Sequence, residues 1–69
     1  MAKQILPKNY PFLTKTQNNL IKLAVIKFKK IYVIGTRYDI RSCFELYGDS
    51  VVFWFDDEKG SSHILKSNK

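Results

Sequence analysis

The chain carries one cysteine and one histidine, Cys43 and His63. With a nearby carboxylate such as Glu45 or Asp56, these are the residue types of a thiol nucleophile and its base. No glycine-rich loop or helix start stands beside Cys43 to stabilise a thiolate or an oxyanion, and a lone cysteine reads more simply as a small apolar filler. One Cys and one His cannot complete a four-ligand zinc set. Asp56-Asp57-Glu58 is a compact acidic run, but it lacks the alternating oxygens and the glycine of a calcium loop and reads as solvated turn residues. Gly35, Gly48 and Gly60 are too scattered for a phosphate loop. These residues point to a protein that is not an enzyme, with no metal, no cofactor and no small-molecule substrate.

The lysines offer a different chemistry. Residues 1–30 hold seven lysines and no acid, whereas residues 31–69 hold five bases and six acids, so the whole net charge of +6 originates in the first half. Lys15, Lys22 and Lys29 recur every seven residues, which places them on one side of a helix, and Lys3, Lys8 and Lys30 can add to the same field. Such a stripe can follow phosphates through sequence-independent, salt-sensitive attraction. It is also what solubility asks of a solvated helix face, and the basic half contains no arginine to read base edges.

Aromatic side chains supply large burial per residue, which suits a chain of 69 residues. A domain this small buries only about 60% of its unfolded surface and has a stability of roughly 3–5 kcal/mol. A single cysteine excludes an intrachain disulfide and fits a reducing compartment, most simply the cytoplasm. The first residues lack the pattern of a secretory leader. The most apolar run, residues 20–34, is broken by Lys22, Lys27, Lys29 and Lys30 and falls short of the ~20 apolar residues that span a bilayer, so no membrane partner is expected.

Residues 1–12, with Pro7 and Pro11, read as an extended N-terminal arm tacked down by Tyr10, Phe12 and Leu13. Residues 13–66 read as one α+β domain and residues 67–69 as a polar tail. Thr14 and Gln17 fit a capping box that starts an amphipathic helix. Leu20, Leu23, Ala24, Phe28 and Ile31 fall on its inner side, with Asn18 among the residues opposite. The helix is placed to end near Lys30. Residues 31–34 are β-branched and read either as the helix end or as a short extra strand. A three-stranded antiparallel meander follows, with strands at 42–47, 51–56 and 61–66 and turns at Gly48-Asp49 and at residues 57–60.

A two-residue first turn and a four-residue second turn set Phe44 opposite Phe53, Leu46 opposite Val51 and Phe53 opposite Ile64. Alternation then gives Phe44, Leu46, Val51, Phe53, Phe55 and Ile64 to the helix side of the sheet. Cys43, Val52, Trp54, His63 and Leu65 take the outer side, beside Glu45. An apolar outer face of this kind marks a docking surface for a protein partner or a second copy, unless the arm folds over it. Two functions follow as expectations: a small non-catalytic interaction module using this outer face, or a small basic nucleic-acid-binding or regulatory protein using Lys15, Lys22, Lys29 and Lys30.

Overall fold

The computed structural model describes residues 3–67. Met1 and Ala2 of the expected arm, and Asn68 and Lys69 of the expected tail, lie outside the described residues. Within the expected arm Gln4–Ile5 forms a short strand, β1, after which the chain bends at residues 7–8 and turns at residues 11–12 rather than staying extended. Helix α1 follows at Lys15–Phe28. Then come β2 (Ile31–Tyr32), a single 3-10 turn at Arg41–Cys43, β3 (Phe44–Tyr47), β4 (Ser50–Asp57) and β5 (Ser62–Lys66). All the strand pairs are antiparallel. The fold is α+β, with one helix on one face of the sheet.

The expected three strands become five among the described residues, and the helix is preceded by a strand rather than standing first. The meander β3-β4-β5 is present, and β4 is its centre. Along one edge β4 pairs with β3 through residues 50–53 and with β2 through residues 56–57; along the other it pairs with β5. β1 then extends the sheet beyond β2. A two-residue strand has too little alternation to announce itself in a sequence, which is why the arm reads there only as extended chain.

The capping box at the start of α1 forms as expected. The Thr14 hydroxyl accepts from the Gln17 N–H at 3.1 Å, and the Gln17 amide oxygen accepts from the Thr14 N–H at 2.9 Å. The helix stops at Phe28 because Lys29 adopts φ 67° and ψ −60°. Its N–H reaches Val25 O, and the next N–H turns back on Phe28 O, so Ile31 leaves in a new direction as β2. The inner face of α1 is Leu20, Ile21 and Ala24, with Val25 and Phe28 partly buried. It is rotated from the expected one: Leu23 is exposed, and Asn18 is only 5% exposed.

The core lies between α1 and the sheet and is built from Ile5, Leu13, Leu20, Ile21, Ala24, Ile31, Val33, Cys43, Phe53 and Phe55. Phe44 stacks on Phe53 with centroids 4.6 Å apart, and Phe55 lies tilted against Phe53 at 5.1 Å. Leu46 shares this side of the sheet but stays 75% exposed, because α1 packs on β2, β4 and β5 and leaves the end of β3 uncovered.

Candidate functional site

The outer sheet face depends on two hairpins. In the first, Gly48-Asp49 is a two-residue turn with Gly48 at φ 62°, the pattern of a type II′ turn, and it gives the expected register with Phe44 opposite Phe53 and Leu46 opposite Val51. The second is shorter than expected by one residue. Asp57 N–H bonds Ser61 O, Gly60 N–H bonds Asp57 O, and Gly60 takes φ 87°. This is a three-residue loop of a type I turn followed by a left-handed glycine. Phe53 therefore faces Leu65, Trp54 faces Ile64 and Phe55 faces His63. One residue of slip exchanges the faces of a whole strand.

The five residues expected on the outer face are thus divided. His63 and Leu65 turn to the helix side, and Ile64 takes the outer position. Cys43 is fully buried in the core, because the 3-10 turn at Arg41–Cys43 interrupts strand alternation before β3 begins. Val52 and Trp54 remain on the outer side of the sheet, but Val52 is only 5% exposed and so offers a partner little surface. The arm does not cover them: Tyr10 packs against the core on the helix side. Arg37 partly covers Trp54 instead. Its guanidinium lies 5.8 Å from the indole centroid and pairs with Glu45 at 2.9 Å. The indole Nε1–H is buried without an acceptor.

Cys43 and His63 are not brought together as a nucleophile and base. The Cys43 thiol points at Asp39 O, 3.6 Å away, and burial pushes its pKa up, so the thiolate is disfavoured at neutral pH. His63 stands against Phe28 and Phe55, with Nε2 2.7 Å from the Asp57 carboxylate. Hydrogen bonding from His63, then from the Ser61 N–H, holds the Asp57 carboxyl below its ordinary value. The acidic run disperses as well: Asp56 accepts from the Ser62 hydroxyl, Asp57 caps the turn through the N–H groups of Lys59 and Ser61, and Glu58 sits 3.9 Å from Lys30. Among the described residues no three His, Cys, Asp or Glu side chains come together as a metal-ligand set.

The basic half behaves in the opposite way. Lys30 reaches Glu58, but among the described residues Lys3, Lys8, Lys15, Lys22, Lys27 and Lys29 have no carboxylate within ion-pair distance. Of the four lysines singled out in the sequence, Lys15 and Lys22 lie on α1 and are exposed. Lys29 caps its end in the left-handed conformation, and Lys30 is the paired one.

Beside this face the arm forms a cleft of about 510 Å³, whose lining includes Lys3, Lys8, Tyr10, Phe12, Asp39 and Arg41. A shallower groove of about 380 Å³ leads from Tyr10 to Lys15 and Lys22. Lys8 lies 5.2 Å from the Tyr10 ring centroid, and Arg41 lies 5.0 Å from that of Phe12. The two rings meet edge to face at 5.7 Å.

Buried Asn18 is what positions this wall. Its side-chain oxygen accepts from the Tyr10 N–H at 2.8 Å, and its amide donates to Tyr10 O at 3.0 Å and to Thr14 O at 3.1 Å. The Tyr10 hydroxyl closes the arm by bonding both the N–H and the carbonyl of Leu6 at 3.1 Å. Sequence reasoning placed Asn18 on the polar face, gave Lys3 and Lys8 of the arm only to the general basic field, and read Tyr10 and Phe12 as anchors rather than as the wall of a cleft. The usable signal was Tyr10 and Phe12 set among Lys3, Lys8 and Lys15 with no acid between them. Arg41, far along the chain, joins them only through the fold. No family model, curated protein or solved structure matches the chain.

Proposed function

We propose that the protein is a small, non-catalytic nucleic-acid-binding module that works through its basic N-terminal half. The observation that carries this is the segregation of charge: six lysines of the first half have no carboxylate partner among the described residues, two of them, Lys3 and Lys8, line a cleft walled by two aromatic rings, and the acids lie in the other half, most of them bonded to nearby groups. Unpaired lysines release counterions from a phosphate backbone, and aromatic rings between them offer stacking surface. The lone buried thiol, with no disulfide partner, suits a cytoplasmic setting.

Fluorescence anisotropy of labelled oligonucleotides across a salt series tests this. Affinity falls with salt, and Lys15→Gln with Lys22→Gln flattens the log–log slope by roughly 1.5, at about 0.7–0.9 for each phosphate no longer neutralised. An affinity indifferent to salt refutes the proposal. A second function, docking of a protein partner or another copy on the outer sheet face, draws on Ile64, 52% exposed beside Trp54. Sedimentation at two concentrations tests it. A monomer at both, with indole fluorescence unmoved by concentration, rules out self-association.

A further inference from the structure

We infer that the arm cleft takes one unpaired nucleotide of a single strand, its base against Phe12 and its phosphates against Lys3, Lys8 and Arg41, an assignment that rests on the nucleic-acid function proposed above and narrows it. A volume of about 510 Å³ falls within the ~300–1,000 Å³ range of sites for small ligands, so the cleft fits a nucleotide rather than a helix. Phe12 is 50% exposed and lies outside the core cluster, so the part of its ring that Arg41 and Tyr10 leave open can meet a base. In a duplex the base faces are already stacked on their neighbours, and chemistry or stacking on a base requires taking it out of the helix.

The charge in the cleft is complementary to this occupant. Three cations line it against one carboxylate, Asp39, whose oxygen already accepts from the Ser42 N–H at 3.0 Å. Arg41 above the Phe12 ring combines a cation with a flat surface, the pair of properties that single-strand sites use. The wall is also preformed. Asn18 holds the backbone of Tyr10, and the Tyr10 hydroxyl holds Leu6, so little chain must be ordered when a strand binds. The second groove, which shares Tyr10 with the cleft and is lined by Lys15 and Lys22, offers the neighbouring phosphates further cations along α1.

The test compares three probes on the whole protein at low salt: an oligothymidylate, an abasic strand of equal length and the oligothymidylate duplexed with its complement. The wild type binds the oligothymidylate roughly tenfold or more tighter than the abasic strand, the difference that one stacked base supplies. Phe12→Ala lowers the affinity for the oligothymidylate to that of the abasic strand and leaves the abasic strand unchanged, while Phe12→Trp restores the preference. Circular dichroism of each variant confirms the fold. Equal binding of the three probes by the wild type, or a preference untouched by Phe12→Ala, overturns the cleft assignment while a persisting salt dependence leaves the broader function standing. No binding of any probe at low salt overturns both.

Discussion

The two halves of this chain use polar side chains in opposite ways. From residue 31 onward, most charged groups build structure. Glu45 is spent on Arg37, Asp56 on Ser62, Asp57 on His63 and its own turn, and Asp39 on the Ser42 N–H. From residue 3 to 30, the charged groups build almost nothing, and the structural polar groups are neutral: the Thr14–Gln17 capping box, the Tyr10 hydroxyl and, the buried one, the Asn18 amide. Charges that are satisfied inside a fold are closed to a partner, whereas charges left in water attract a partner of opposite sign. The difference separates the half that holds the protein together from the half that is free to bind.

The sharpest way to break that division is to remove its exception. Asn18→Ala deletes an amide that is 5% exposed and strands the Tyr10 N–H, while the Tyr10 carbonyl keeps the Leu13 N–H as its donor. Unsatisfied buried groups cost about 1–3 kcal/mol, only partly offset by the better helix propensity of Ala. A net loss of about 2 kcal/mol is expected, a large share of the roughly 3–5 kcal/mol that stabilises a domain this size. Urea denaturation reads it directly. Hydrogen exchange at residues 4–13 should accelerate more than at Phe53 and Phe55. A uniform change would mean that the arm is held by something other than Asn18.

What could be read from sequence follows from how locally each feature is encoded. The start of α1 is fixed by Thr14 and Gln17, three residues apart, and the Phe44–Phe53 register by a two-residue turn, so both were legible. The β4–β5 register turns on one residue of loop length. Asp57 with Gly60 three positions later is the signature of a type I turn closed by a left-handed glycine, and it argued for the shorter loop. Asn18 illustrates the other kind of failure. A helical wheel assigns polar residues to water, but this one is buried by a segment arriving from outside the helix. The cleft was legible in its composition and not in its geometry, because Arg41 and Asp39 reach it from the connection between β2 and β3.

A smaller effect is expected from acid. In the folded protein the Asp57 carboxyl is held below its ordinary value, first by His63 and then by the Ser61 N–H. The folded state therefore keeps this group ionised where the unfolded state, titrating near ~3.9, has begun to protonate. Its contribution is complete well above that value and is lost as pH falls through it toward the folded pKa. Asp57→Asn removes the component, so the thermal midpoint of the variant should decline less steeply between pH 5 and pH 3, values chosen at roughly one unit on either side of the ordinary pKa. Equal slopes for the two proteins would show that the His63 contact does not favour the carboxylate, and the account of this half as charge-built would weaken.

Lys29 stands at the boundary between the halves, and the smallest effect expected there has the opposite sign. A non-glycine residue at φ 67°, ψ −60° occupies the rare, strained form of a tight three-residue turn, in which the Lys30 N–H bonds back to Phe28 O. Strain of this kind costs on the order of 1–3 kcal/mol, while glycine adopts the conformation freely but loses roughly 0.5–1 kcal/mol more chain entropy on folding. Lys29→Gly should therefore stabilise the protein, by about 1 kcal/mol, and should make the salt dependence of oligonucleotide binding slightly shallower by deleting one unpaired cation. Stability and binding then move in opposite directions at a single residue, as they must if this lysine serves a partner rather than the fold. A lower urea midpoint in the glycine variant would mean that the side chain itself supports the helix end, and Lys29 would belong with the structural charges of the second half.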